Sequence, residues 1–285
     1  MNIDPLIQII SETVKSLHFT ILEIGALPLG ENEGFHYLLE VFPGSRIIAF
    51  EVDDELCENL NKKAQPGLKY YPVALARAEE TRRFYQTVHP MCSSLYMPNE
   101  KLLARYNNLE VAMLKSAGSL DTVSLDFFAR KNDIGPVDFI KIDIQGAELE
   151  VFEGGSATLK ETLAVVSEVE FVPLYIDQPL FGDVCAFLSE KGIIFHKFLG
   201  LAGRTLKPLI LQNDLNFATQ HLWSDALYLR DIAQLSRLSS QQLLKYAVIS
   251  NLYKSLDVAL FCILEHDKRE GTRIAEKYLM FEQKK

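Results

Sequence analysis

Short apolar runs rich in β-branched and aromatic residues recur along this chain, and most are separated by segments of helical period. "HFTILEIG", "RIIAFE", "LKYYPVA", "VDFIKID", "LAVVSEVEF", "IIFHKFLG" and "DALYLR" are seven such runs, all before Asp231. Helices are expected over Glu33 to Val41, Glu55 to Ala64, within Leu120 to Asn132, from Ala147, and over Asp183 to Lys191. Parallel strands need long crossovers, usually helical, so this alternation predicts an α/β fold with a mainly parallel sheet. No crossover helix precedes "DALYLR", which predicts that the final strand enters antiparallel.

The chain has 285 residues, 48% of them hydrophobic, enough for one large core. We read 1–231 as one domain, with the polar, proline-bearing stretch 76–119 as an insertion over the sheet edge. Residues 232–285 have a helical period and no strand signal, which predicts a pair of packed helices serving as a cap or as a homodimer contact. A net charge of -9 argues against nucleic acid or an anionic membrane surface as partner. The best apolar run, "YAVISNLYKSLDVALFCIL", carries Lys254 and Asp257, so no membrane span is expected. "MNIDPLIQIISETVKSL" reads as an amphipathic helix without a leader's basic region or cleavage site. Four scattered cysteines without a C-x-x-C pair suit reduced thiols, and the expected location is the cytoplasm. His89 and Cys92 lack further partners at ligand spacing, so they are read as loop packing and no metal site is expected.

Four strands end in an acid: Glu23, Glu51, Asp143 and Glu170. Any one of them suits the first turn of the next helix. Four on one rim mark the end of the sheet where such folds bind ligands. Glu51, closing the second strand, is placed to accept hydrogen bonds from two ribose hydroxyls. Gly25 and Gly30 let the backbone pass close to a ligand. The absence of G-x-G-x-x-G argues against the alternative of a nicotinamide-dependent oxidoreductase, and points to an adenosine without a pyrophosphate. Glu168 and Glu170 face one side of their strand and are candidates for an acceptor pocket. His196, Lys197 and Arg204 are either a basic wall for an acidic acceptor or ordinary core and surface.

"VSLDFFARKNDIGPVDFIKIDIQGAELEVFEGG" followed by "EVEFVPLYIDQPLFGDVCAFLSEKG" resembles the FkbM family of S-adenosylmethionine-dependent methyltransferases, "KIDIQGAE" most of all. The resemblance implies a class I methyltransferase fold, a Rossmann-like seven-stranded sheet with an antiparallel last strand. It implies S-adenosyl-L-methionine as cofactor and a hydroxyl on a sugar or other natural product as acceptor. It assigns Glu23, Gly25 and Gly30 to the cofactor loop, Glu51 to the ribose, Val73 and Ala74 to the adenine, and Asp143 to the reacting methyl. The family's compact D-x-G-A-N-x-G loop is replaced here by Ala26, Leu27, Pro28 and Leu29 and an acidic stretch. That change keeps open a second alternative, a non-catalytic scaffold of the same fold. Asp143 is read as positioner, Glu148 as candidate base, Glu170 as a third catalytic candidate, and Gln145 as an orienting group for acceptor or cofactor.

Overall fold

The computed structural model describes residues 4–27 and 34–283. Among them, strands β1 (Thr20–Ile24), β2 (Arg46–Glu51) and β3 (Leu68–Pro72) open the main sheet. β4 (Ala74–Ala76), β5 (Glu80–Thr87) and β6 (Leu114–Ser124) form a small second sheet. The main sheet resumes with β7 (Phe139–Ile142), β8 (Ala164–Glu170), β9 (Ile193–Phe198) and β10 (Trp223–Arg230). Its order is β3-β2-β1-β7-β8-β10-β9, parallel throughout except that β10 runs antiparallel to both β8 and β9. The mostly parallel, seven-stranded sheet expected from sequence is what forms.

Neighbouring residues of each strand enter different cores. Ile21, Ile47, Phe139 and Val166 join one buried cluster, and Leu22, Ile48, Ile140 and Val165 join another. A sheet covered on both faces needs apolar residues at every position, which is why these strands read as unbroken runs.

The helices are α1 (Pro5–Thr13), α2 (Leu38–Val41), α3 (Asp54–Asn61), α4 (Glu100–Leu103), α5 (Leu125–Lys131), α6 (Glu148–Gly154), α7 (Phe181–Glu190), α8 (Ser240–Leu252), α9 (Leu256–Glu270) and α10 (Ile274–Glu282). Leu125 and Phe128 of α5, Val151 and Phe152 of α6 and Leu188 of α7 pack on one face of the sheet. Leu6 and Ile10 of α1, Leu38 of α2, Leu244 and Ala247 of α8, Ile263 of α9 and Ile274 of α10 pack on the other. No described helix is long and apolar enough to cross a membrane.

The structure departs from the sequence reading in three places. "LKYYPVA" is not one strand. Pro72 sits on the edge strand, where its missing N–H breaks no bond to β2; the Val73 N–H still donates to the Glu51 carbonyl at 3.1 Å, and Ala74–Ala76 then pairs in parallel with β6 instead. The stretch 76–119, where no strand was expected, carries an antiparallel hairpin, β5 with β6, whose second strand runs on to Ser124 before α5 supplies the helix expected within Leu120 to Asn132. The C-terminal stretch holds three helices among the described residues rather than two.

Candidate active site

The parallel strands deliver their carboxyl ends to one rim, and the chain reverses its direction of winding between β1 and β7, where such sheets bind ligands. Glycine makes that junction possible. Gly25 has φ +81°, and a Cβ there would stand 1.9 Å from the Asp143 carbonyl oxygen. The N–H groups of Gly25 and Ala26 donate to the Phe50 carbonyl at 3.1 and 2.9 Å, and the Asp143 N–H donates to that of Ile24 at 2.9 Å. The exits of β1, β2 and β7 are thereby locked together.

A cavity of about 450 Å³ opens on this junction. That is the size of a small-molecule site. Gly25, Glu51, Val73, Ala74, Asp143 and Gln145 all line it, and the hairpin closes over it with Phe84, Lys115 and Leu120. Glu51 and Asp143 end strands two places apart in the sheet, about 10 Å at ordinary strand spacing. Glu51 Oε1 accepts from the Val52 N–H at 2.8 Å. Burial pushes the Glu51 carboxyl upward, against the pull of backbone N–H bonds from Val52 and Asp53.

Asp143 is partly exposed, its side chain 33% accessible. Burial works to raise it, but the Lys141 ammonium 3.4 Å away and hydrogen bonds from neighbouring side chains outweigh that, and its carboxyl lies below the usual range. Lys141 also reaches Asp225 at 3.8 Å. A lysine between Ile140 and Ile142 on a buried strand is the sequence signal that pointed to this pair, and the sequence reading missed it.

The other candidates lie elsewhere. Glu148 is 2% exposed and turned back on its own loop, where Oε1 accepts from the N–H groups of Ile144 at 2.8 Å and Gly146 at 3.3 Å. Burial, with the Asp143 charge as a lesser cause, pushes it up to about 7. Glu170 is 3% exposed and held well above the usual range by burial and by Glu148. Neither lines the cavity. Glu23 is off the lining too, its Oε2 2.8 Å from His36 Nε2. Gly30 lies outside the described residues.

His89 Nδ1 accepts from the Met91 N–H at 3.3 Å, and the Cys92 carbonyl accepts from the Tyr175 hydroxyl at 2.8 Å, so both serve the loop. His196 pairs with Ser255 at 2.9 Å and Arg204 stacks on Trp223 at 4.7 Å. Neither they nor Lys197 line this cavity, whose basic group is Lys115.

The arrangement suits a ligand with a flat apolar part, vicinal hydroxyls and a cationic end. Phe50, Val73, Leu75 and Phe84 supply apolar wall, Glu51 a double acceptor, and Asp143 a fixed negative charge.

The sequence profile of the Methyltransferase FkbM domain matches residues 23–195, well over half of the chain. Similar solved structures include methyltransferase FkbM from Methylobacillus flagellatus KT, at 13% identity and TM-score 0.39, covering 74% of this chain and 43% of that one. A SAM-dependent methyltransferase from Aquifex aeolicus is 12% identical with TM-score 0.31, covering 79% and 89%. A putative methyltransferase from Thermoplasma acidophilum is 10% identical with TM-score 0.33, covering 76% and 69%. This chain thus spans less than half the length of the M. flagellatus protein. No curated protein matches it. With the profile spanning β1 to β9 and the cavity at the junction that "KIDIQGAE" helps to build, the chain belongs to the FkbM methyltransferase domain family.

Proposed function

We propose that this chain binds S-adenosylmethionine in the cavity at the β1–β7 junction and methylates a hydroxyl on a small acceptor, a sugar or another natural product. The observation that carries the reading is one cavity lined at once by Glu51, by the close-packed Gly25 and by Asp143 with Gln145. A bound S-adenosylmethionine supplies an electrophilic methyl group on a sulfonium. Glu51 holds the ribose hydroxyls, Val73 and Ala74 flank the base, and Asp143 sets a negative charge beside the cationic end. An alcohol that takes a methyl group becomes a far stronger acid than any carboxylic acid as it does so. Asp143, ionised and reachable, is therefore a competent late acceptor for the hydroxyl proton although its own basicity is low. Most of the rate comes from positioning and from excluding water, to which the overlying hairpin contributes.

The test is transfer of isotopically labelled methyl to hydroxylated acceptors, with the product linkage read by NMR. A methyl ether supports the reading, and Asp143→Asn is expected to slow transfer by about 10²-fold or more. Label found only on nitrogen or carbon would refute O-methylation.

A further inference from the structure

Asp143 does not face the cavity alone. Gln145 Nε2 donates to Asp143 Oδ1 at 2.8 Å and to Glu168 Oε2 at 2.5 Å, one amide hydrogen to each carboxyl. The clamp is itself anchored. The Tyr175 hydroxyl stands 2.9 Å from Gln145 Oε1, and the Ser94 hydroxyl donates to the Gln145 carbonyl at 2.7 Å. Gln145 has φ +60°, a left-handed conformation that costs a residue with a Cβ about 1 kcal/mol. The surrounding bonds hold the residue there with its amide between the two acids. One amide nitrogen thus draws the carboxyl groups of Asp143 and Glu168 together, with the Lys141 ammonium 3.4 Å from Asp143. Two carboxylates held this close repel each other, and a proton on one of them both removes the repulsion and supplies a donor.

We infer that Glu168 is the proton-bearing half of this pair, a positioning residue. Neutral, it donates to Asp143 and, with the Gln145 amide, keeps the Asp143 carboxylate ionised and aimed into the cavity. The charges around the pair decide which half holds the proton. Lys141, on β7, lies against Asp143. Glu168 is raised first by burial, then by the charges of Asp143, of Glu170 on its own strand and of Glu148 on α6. Asp225 on β10 shares Lys141 and adds negative charge, while Cys92 and Tyr175 flank the site as neutral groups. The consequence for binding rests on the cofactor reading above: an anion maintained at this point favours the sulfonium S-adenosylmethionine over the neutral S-adenosylhomocysteine.

Carboxyl-carbon NMR of the full chain, ligand-free and labelled in its glutamates, tests the protonation directly. One signal that Glu168→Gln removes is expected to stay at the protonated position at about pH 7, and titration of that signal in the ordinary carboxylate range would overturn the inference. Calorimetric affinities for the two nucleosides test the positioning. Wild type and Glu168→Gln, which keeps a donor, should hold their S-adenosylmethionine preference within about twofold, whereas Glu168→Leu should lose about tenfold of it between about pH 8 and pH 6. Identical preferences in all three proteins would contradict the role. If neither nucleoside binds wild type, the cofactor reading fails, and the ligand-free spectrum still judges Glu168.

Discussion

Asp143 and Glu148 stand five residues apart and do opposite work. Asp143 is kept ionised at the cavity, and Glu148 is pushed up to about 7 while it braces the turn beneath it. A carboxyl raised in the native state holds a proton that the unfolded chain has already released. Its contribution to stability is therefore lost as pH rises from the unfolded value near 4.5 towards 7. Glu148→Gln keeps the accepting oxygen and removes the titration. It is expected to be more stable than wild type at about pH 8, by roughly 3 kcal/mol at most, and about equal at pH 5. Glu148→Ala leaves the Ile144 and Gly146 N–H groups without that acceptor and should be less stable at both pH values, by roughly 1–3 kcal/mol. Thermal melts at the two pH values check both. The acids at the strand ends were legible because a carboxylate closing an apolar run stands out. Their division of labour was not, because the direction a glutamate turns depends on which N–H groups its loop presents.

At the scale of elements, the hairpin is tied to α6, beside the site, through a buried contact. Arg82 on β5 makes a two-pronged bond to Glu150 on α6, and the Tyr96 hydroxyl donates to the same carboxylate at 2.6 Å. Glu150 is 4% exposed, so Arg82→Ala strands a buried charge. The expected cost is roughly 1–3 kcal/mol, with faster hydrogen exchange across 80–87 and 114–124 and weaker S-adenosylhomocysteine binding. Unchanged exchange in those strands would mean that the hairpin is held by something else. The hairpin escaped sequence reading because most of its residues face solvent, so no apolar alternation announces it. The end of β3 did carry a signal: a proline inside "LKYYPVA" marks an edge strand, which is where β3 lies.

For the whole molecule, α8 to α10 complete the core. They share a buried cluster with Phe19, just before β1, and with Ile21, Phe139 and Val166 of the sheet, and Lys245 on α8 pairs at 2.9 Å with Asp138, which also accepts from the Thr20 N–H. Truncation after Asp231 uncovers that face of the sheet and is expected to leave an aggregating, unfolded product. A soluble, cooperatively melting 1–231 fragment would contradict this. Helical period revealed these helices in the sequence, but period says only that one face is apolar and not what it lies against. The direction of the last strand was more readable, because no crossover helix precedes it. Phe261 and Leu264 on α9 remain exposed, and sedimentation of the Phe261→Asp variant tests the expected homodimer: dissociation supports it, and a wild-type monomer ends it.

The central claim, that the cavity between β2 and β7 is a cofactor site organised by Glu51, is tested most directly by calorimetric titration of S-adenosylhomocysteine into wild type and Glu51→Ala. Saturable one-to-one binding to wild type is expected, and in Glu51→Ala it is weakened about 10- to 100-fold by the loss of two charge-assisted hydrogen bonds. Absence of binding to wild type, or equal binding to both proteins, would contradict it.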